Sequence, residues 1–508
     1  MFRKSLFFFA GLFFTVSSCY GYSLLETERF VFSIDSYFRT DLVSFKNVVD
    51  LDSGNSDDTT TYLGIDYNLG FRYALKDSGP EFYLKLERNG PGDYDAPLFV
   101  HNTLINTGGV IEKYRNDELL PQVEEFWLSS PLRQNFRYKL GLYTYEVGNG
   151  FSLNGSFENY GLTVSYELEN FNWRLYYCRP EIVYKNHLGP RIRQEEEQGY
   201  DYNHNASNFF ATDAKFNIGK NTLWPYIGVL ADYTSPEKRD NVFTAPIERD
   251  ILGTLGLAWN LKQNKLSLAL EAARNFGKAE SSNSNSDSDS EYKDIYHTGY
   301  LVYTELKYSL GKLTPSLQFL LCSGNKVSLD AAGDDTLASG KNRAFSSYSP
   351  LNNNLGDTIS ACNSEARPIV LMGSGCGLHY GIPRPGTLAS SDFDNLLMPS
   401  LGLDWEMTDK LSLSFDGYYI RSFERGVGTF GEEVKYLPKD LGYETDLLID
   451  YRLNKHTLIS FLGGYFFPAG FYKEERDDTS GSLLSPFVRG DGKVDSAYQV
   501  ELSLELQF

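Results

Sequence analysis

Apolar and polar side chains alternate without exception from Tyr498 to Phe508. Tyr498, Val500, Leu502, Leu504, Leu506 and Phe508 share one parity, and Gln499, Glu501, Ser503, Glu505 and Gln507 the other. A period of two is that of a strand with one apolar and one polar face. The same pattern recurs along the chain. It predicts a strand near Phe30–Tyr37, and the clearest one runs through Leu63, Ile65, Tyr67, Leu69, Phe71, Tyr73 and Leu75. The gaps between strands alternate in length. Short turns fall at KDSGP, SSPLRQN, ENFN, GKN, KQNK, GKL, TDK and NKH. Between them lie polar segments such as Lys185–Ala206, Ser235–Asp250, Glu280–Tyr296, Val327–Leu397 and Arg425–Leu441. A soluble sandwich or propeller has no reason to gather its short turns at one end. The pattern therefore predicts an all-β fold, a transmembrane antiparallel β-barrel of about eighteen strands, with short periplasmic turns and long extracellular loops. A barrel of that size encloses a lumen, whereas about eight strands would be filled by their own side chains.

The chain start agrees. Arg3 and Lys4 precede an apolar run from Leu6 to Val16 and then small and polar residues through Gly21. That order is a secretory signal, too short to span a bilayer as a helix. The expected organisation is a signal peptide over 1–21 and a single barrel over 22–508, with the 327–397 loop a candidate constriction or lid. Val16-Ser17-Ser18-Cys19 is a loose lipoprotein-like alternative for processing. The counts of Tyr (36) and Phe (35) suit aromatic girdles at two membrane interfaces. The formal charge of −20 argues against nucleic acid or anionic lipid as a partner of the outside. Cys178 and Cys322 lie in predicted strands. Cys362 and Cys376 share the long loop, where a disulfide and two reduced thiols are both open readings.

The end of the chain resembles the closing strand of bacterial outer-membrane barrels. This implies Gram-negative outer-membrane lipid as its surroundings and recognition of the strand ending at Phe508 by the barrel-assembly machinery. Two longer stretches point to a narrower family. LGYETDLLIDYRLNKHTLISFLGGYFFPAGFY (441–472), with its Gly-x-Glu-x-Asp opening and Phe-Pro-x-Gly end, resembles the next-to-last hairpin of alginate-export-type outer-membrane proteins. DNLLMPSLGLDWEMTDKLSLSFDGYY (394–419) looks like the hairpin before it. GLYTYEVGNGF (141–151) is similar to the family's strand-to-loop passage, with Leu142 where members commonly carry Arg. The resemblance implies a channel passing an exopolysaccharide or small polar solutes by diffusion.

Pores select through the charges on their inward parity. That parity holds Arg72, Lys85, Arg137, Lys139, Arg174, Lys215, Lys307 and Arg452, together with acidic residues that include Asp416, Glu444, Asp446 and Asp450. The lining is mixed, where a duct for a polyuronate would be predominantly basic. Arg72, Arg137, Lys139 and Arg174 fall on the second to seventh strands, and the four acids on the fifteenth and sixteenth, across the ring. A small-solute porin with a transverse charge field is therefore the alternative to polysaccharide export. The plainer reading is that these charges are solvated or neutralise their neighbours. A non-conducting structural or adhesive barrel is the third possibility.

No chemistry of catalysis is legible. The histidines (His101, His187, His204, His297, His379, His456) are scattered, with neither an HExxH pair nor a GxSxG elbow. No enzyme, cofactor or metal centre is expected. Asp287, Asp289 and Glu291 in SSNSNSDSDSEYKD lack the Gly and distal Glu of a calcium loop and read as a solvated tip. The IVLMGSGCGLHYGIPRPG stretch of the long loop is apolar enough to fold against the mouth or into the lumen.

Overall fold

In the computed structural model the described residues are 23–47, 60–76, 79–88, 96–101, 122–179, 185–186, 189–190, 207–233, 247–281, 294–329, 333–334, 340–345, 395–430, 433–474 and 494–507. The barrel is a closed antiparallel ring of 18 strands. In chain order these are β1 (Phe30–Lys46), β2 (Thr60–Leu75), β3 (Glu81–Arg88), β4 (Gln122–Arg133), β5 (Phe136–Val147) and β6 (Leu153–Leu168). Then come β7 (Phe171–Cys178), β8 (Ser207–Ile218), β9 (Asn221–Asp232), β10 (Ile247–Gln263), β11 (Leu266–Ser281) and β12 (Tyr300–Tyr308). The ring is completed by β13 (Leu313–Cys322), β14 (Leu396–Glu406), β15 (Leu411–Ser422), β16 (Asp440–Asn454), β17 (Thr457–Pro468) and β18 (Ala497–Gln507). The strand expected at Phe30–Tyr37 runs on to Lys46, because its upper half is the half that pairs with β18. The excursion after β3 contributes a short strand, Ala96–His101, laid on β2.

Closure comes from β18 pairing with β1, from Tyr37↔Gln507 to Lys46↔Tyr498. The register leaves the β1 edge below Tyr37 uncovered by β18. An antiparallel strand at Ser23–Glu26 pairs with Val31–Ser33 there, so the backbone groups of that edge are matched. It is tied to the neighbouring turn by Lys76 Nζ to Glu26 Oε1 at 2.8 Å, a contact that holds the Glu26 carboxyl below its ordinary range.

The short turns lie at one end and use residues that tolerate left-handed backbone. Asn135, Gly219, Asn264 and Gly311 have φ of 66°, 61°, 55° and 75°. Two-residue hairpins need this conformation, which Gly and Asn reach at little steric cost. Outward positions are apolar and uncovered: Leu140, Leu175, Leu255, Leu317 and Leu401 are exposed. In water this would be an uncovered apolar cylinder; in a membrane it is the lipid belt. Ring pairs mark both rims. Phe136–Tyr166 (4.6 Å) and Phe171–Phe216 (5.0 Å) sit near the short turns, and Tyr177–Phe210 (4.9 Å) and Tyr419–Tyr443 (5.2 Å) near the far ends. An exposed apolar belt between two aromatic rims is what a barrel that crosses a membrane with its strands presents to lipid.

At the far rim, residues 340–345 of the long loop are tied to the strands. Lys341–Asn342 runs parallel to Tyr296–His297. His297 Nε2 lies 2.8 Å from Asp250 Oδ1, and Asn325 Oδ1 accepts from the Arg343 and Ala344 amides at 2.6 and 3.0 Å. Cys362, Cys376 and the apolar loop stretch lie outside the described residues, as do the signal segment and Phe508.

Candidate functional site: two lumen walls and an inward loop

On β4 to β9 the inward positions carry cations set among aromatic rings. Lys139 Nζ lies 4.2 Å from the ring centroids of both Trp127 and Tyr143. The Arg174 guanidinium is 4.9 Å from the Tyr145 ring and 5.5 Å from that of Trp224, and Lys215 Nζ is 4.6 Å from Trp224. Each such contact is worth about 0.5–2 kcal/mol, more as it is desolvated. Asp213, 3% exposed, is the hub of this wall. Its carboxylate accepts from Arg174 Nε (3.1 Å), the Tyr145 hydroxyl (2.6 Å) and the Trp224 indole N–H (2.7 Å). Arg174 Nη2 also donates to the Glu146 carbonyl at 2.7 Å.

Below Tyr143 and Tyr145, toward the short turns, the wall hollows into a cavity of about 190 Å³. Arg137, Lys139 and Arg174 line it, with the hydroxyls of Ser129, Thr163 and Ser165 and the Glu167 carboxylate, which accepts from Ser165 Oγ at 3.1 Å. Arg137 Nε donates to Ser129 Oγ at 3.2 Å, and the Tyr143 and Thr163 hydroxyls are 2.7 Å apart. Three cations against one carboxylate, beside hydroxyls that donate or accept, form a surface suited to a small polyhydroxylated or anionic solute.

The acidic positions cluster on β15 and β16. Asp416 and Asp446 are register partners, and Asp416, Glu444 and Asp446 are 2%, 0% and 2% exposed. Asp450 accepts from Ser460 Oγ on β17. The remaining residues of the inward parity are dispersed. Arg72 Nε pairs with Glu81 at 2.6 Å, and Lys307 Nζ with Glu305 at 3.0 Å. Lys85 is the register partner of Glu125 on β4. Arg452 lies exposed one strand end away from Asp450, near the short turns. Arg137, Lys139 and Arg174 are thus brought together around one cavity, and Lys215 joins them through Trp224. Arg72, Lys85, Lys307 and Arg452 stand apart.

An inward-folded loop is the feature that parity does not reveal. Between β5 and β6, residues 148–152 turn into the barrel and reach β10 and β11. Glu271 on β11, 0% exposed, receives the Asn149 amide (2.6 Å), the Ser152 hydroxyl (2.7 Å) and the Tyr226 hydroxyl (2.6 Å). Asn149 Nδ2 donates to the Leu270 carbonyl (3.1 Å), and Asn260 Nδ2 to Asn149 Oδ1 (3.0 Å). The Phe151 ring meets Tyr303 of β12 at 4.1 Å. Gly148 and Gly150 have φ of 68° and 84°, and a Cβ on Gly148 would stand 3.0 Å from Glu271 Oε2. Behind the loop, Tyr143, Tyr145, Val147, Leu153, Tyr176, Cys178, Phe209, Tyr226 and Leu230 form an apolar cluster inside the ring. Glu271 lies on the inward parity of its strand in SLALEAARNF, and Gly148-Asn149-Gly150 announces a tight reversal. What parity alone does not convey is that the two meet.

No family model matches the chain, and no curated protein does. Among solved structures it is similar to OccK11 (OpdR) of Pseudomonas aeruginosa, with 10% identity, 94% of this chain and 96% of that one covered, and a TM-score of 0.47. A BenF-like porin from Pseudomonas fluorescens Pf-5 gives 9%, 94% and 99%, and 0.49. OprD of Pseudomonas aeruginosa gives 9%, 97% and 99%, and 0.47. At these identities and scores the likeness carries nothing about solutes. The resemblance to alginate-export proteins finds no support in these comparisons.

Proposed function

We propose that the protein is an outer-membrane channel for small polar solutes, with a transverse charge field between the β5–β8 wall and the β15–β16 wall. The observation that carries this is the cavity of about 190 Å³ beside Arg137, Lys139 and Arg174, set across the ring from Asp416, Glu444 and Asp446. Opposed walls of opposite sign orient water and dipolar solutes and give each ion a preferred side. The cradle fits a solute of a few heavy atoms with a carboxylate or several hydroxyls. A polysaccharide would need a continuous wide track of counter-charges. The inward loop and the mixed lining work against one, so export of a polymer is the weaker reading.

The test is the reversal potential of refolded protein in planar bilayers under a salt gradient. Arg137→Glu combined with Lys139→Glu should move the cation/anion permeability ratio toward cations by about tenfold. An unchanged ratio overturns the transverse field. A parent protein that does not conduct at all overturns the channel and leaves the structural barrel.

A further inference from the structure

We infer that Tyr83 and Trp127 form an aromatic platform on the lumen wall that takes the ring of a neutral sugar, with Asp35, Lys85, Glu125 and Lys139 meeting its hydroxyls. The inference rests on the channel reading and deepens it by naming a class of solute; the platform itself rests on geometry. β3 and β4 pair so that Tyr83 stands opposite Trp127 and Lys85 opposite Glu125. The two rings lie 5.5 Å apart, with their planes at 35°. On the same two strands the outward ring pair is Phe82 and Phe126, 5.3 Å apart, which the lipid belt explains. No such solvent explains the inward pair. Strand faces that line an aqueous lumen are polar, and the inward rings of Tyr143, Tyr145 and Tyr176 on β5 and β7 are withdrawn to 2%, 3% and 1% exposure. Tyr83 and Trp127 are only half-buried. Aromatic surface left facing water is unfavourable unless something else comes to cover it.

The edges of the platform are polar and balanced. The Tyr83 hydroxyl donates to Asp35 Oδ2 at 3.2 Å, and the Trp127 indole N–H to Glu125 Oε2 at 2.9 Å. Each ring's polar end thus pins a carboxylate beside it. The Asp35 side chain lies over Gly70, where a Cβ would come within 2.3 Å of Oδ1, so its direction depends on that glycine. Lys139 Nζ stands 4.2 Å from the Trp127 ring centroid. Two acids and two bases carry no net charge, whereas in the neighbouring cavity three cations meet one carboxylate. A rigid ring with apolar C–H faces and a periphery of hydroxyls fits such a place. Its face covers the aromatic surface, and its hydroxyls donate to Asp35 and Glu125 and accept from Lys85 and Lys139. An anion would meet two carboxylates. A solute without hydroxyls would cover the rings and leave four charged groups desolvated beside it. Lys139 also lines the cavity, and its register partner Ser129 lies on the next inward row of β4 toward the short turns, so platform and cavity are successive stations on one wall.

Saturation-transfer NMR on the refolded protein, in a detergent without a sugar headgroup, reads binding whether or not the barrel conducts. Cellobiose is the probe, because its hydroxyls are nearly all equatorial and both faces of each ring present axial C–H groups. Transfer should be strongest to the axial ring protons. It should fall about tenfold in Tyr83→Ala combined with Trp127→Ala, which removes both rings. Tyr83→Phe, which keeps the ring without the hydroxyl, should recover transfer over Tyr83→Ala. No transfer in the parent, or the same transfer in the double variant, overturns the platform. Transfer to benzoate that exceeds transfer to cellobiose, and is lost in the double variant, overturns the sugar in favour of an aromatic solute. Conductance tests the channel reading separately. A parent that binds cellobiose without conducting keeps the platform and loses the channel; one that conducts without binding keeps the channel and loses the platform. If the double variant does not fold, Tyr83→Ala alone leaves Trp127 packed against the apolar cluster. Transfer should then fall about threefold, and an unchanged signal overturns the platform in the same way.

Discussion

On the basic side of the lumen, Arg137, Lys139, Arg174 and Lys215 each rest against a hydroxyl, a ring or a carboxylate, whereas on β15 and β16 the register sets a carboxylate opposite a carboxylate. The first wall is assembled from complementary groups and has a hub, Asp213. Opposite the Asp416 carboxylate, β16 presents Asp446, an arrangement that costs stability in an antiparallel pair. The difference separates charge that is held in place from charge that is held together. A cation ordered between rings keeps its donors pointed at one spot, so the wall can bind. Juxtaposed carboxylates, which have contacts of their own, set a potential of the opposite sign. A net count of lumen charges treats the walls as equal and opposite; the register shows that like charges meet only on the second.

The largest expected effect comes from removing the hub. Asp213→Ala leaves the Arg174 guanidinium, the Tyr145 hydroxyl and the Trp224 indole without their common acceptor. Breaking a buried pair from one side costs about 3–5 kcal/mol. Urea titration of folding into lipid vesicles measures it. Asp213→Asn keeps an acceptor oxygen and should lose less. A loss under about 1 kcal/mol would mean that the Glu146 carbonyl and the rings suffice to hold Arg174, and the basic wall would then be no more hub-dependent than the acidic one.

This wall also shows where the sequence is transparent and where it is opaque. Period-two alternation and short turns carry the barrel, because lipid on one side and water on the other impose the same parity on every strand. Arg137, Lys139 and Arg174 are legible as inward residues for that reason. Their grouping around one cavity depends on register between strands, which parity does not specify. The role of Asp213 is hidden further: as one acid among many on the inward parity it offsets a charge in a count, yet in space it organises three side chains. Glu271 and the 148–152 loop lie beyond both signals. A loop that leaves the ring breaks the alternation locally, and its landing place several strands away is settled by a buried carboxylate and two glycines. The local pattern GLYTYEVGNGF marks the departure point but not the destination.

A smaller effect is expected at Trp224, the ring that Arg174 and Lys215 share. Trp224→Leu keeps an apolar side chain and removes both ring–cation contacts and the indole donor to Asp213. The expected loss is about 1–2 kcal/mol. Blocking of the channel by a small organic anion should weaken in parallel, since Lys215 loses its resting place. Lost stability with unchanged block would make the rings structural and move the cradle to Arg137 and Lys139 alone.

The smallest effect is expected on the acidic side, and there the sign discriminates. Asp416→Asn combined with Asp446→Asn removes two charges that face each other in register. If those carboxylates set the potential of the lumen, the cation/anion permeability ratio should fall about threefold, far less than the shift from reversing Arg137 and Lys139. Stability should rise by a few tenths to about 1 kcal/mol, because opposed like charges are destabilising and the amides fill the same volume. The two readouts must move in opposite senses: a more stable barrel that discriminates less is a wall that gives up stability for its field. A more stable barrel with an unchanged ratio would show charges without influence on permeation, and the asymmetry between the walls would then reduce to one binding surface facing an inert one. A less stable barrel would show that Asp416 and Asp446 are each held by donors that prefer a charge, which would make the acidic wall as complementary in construction as the basic one.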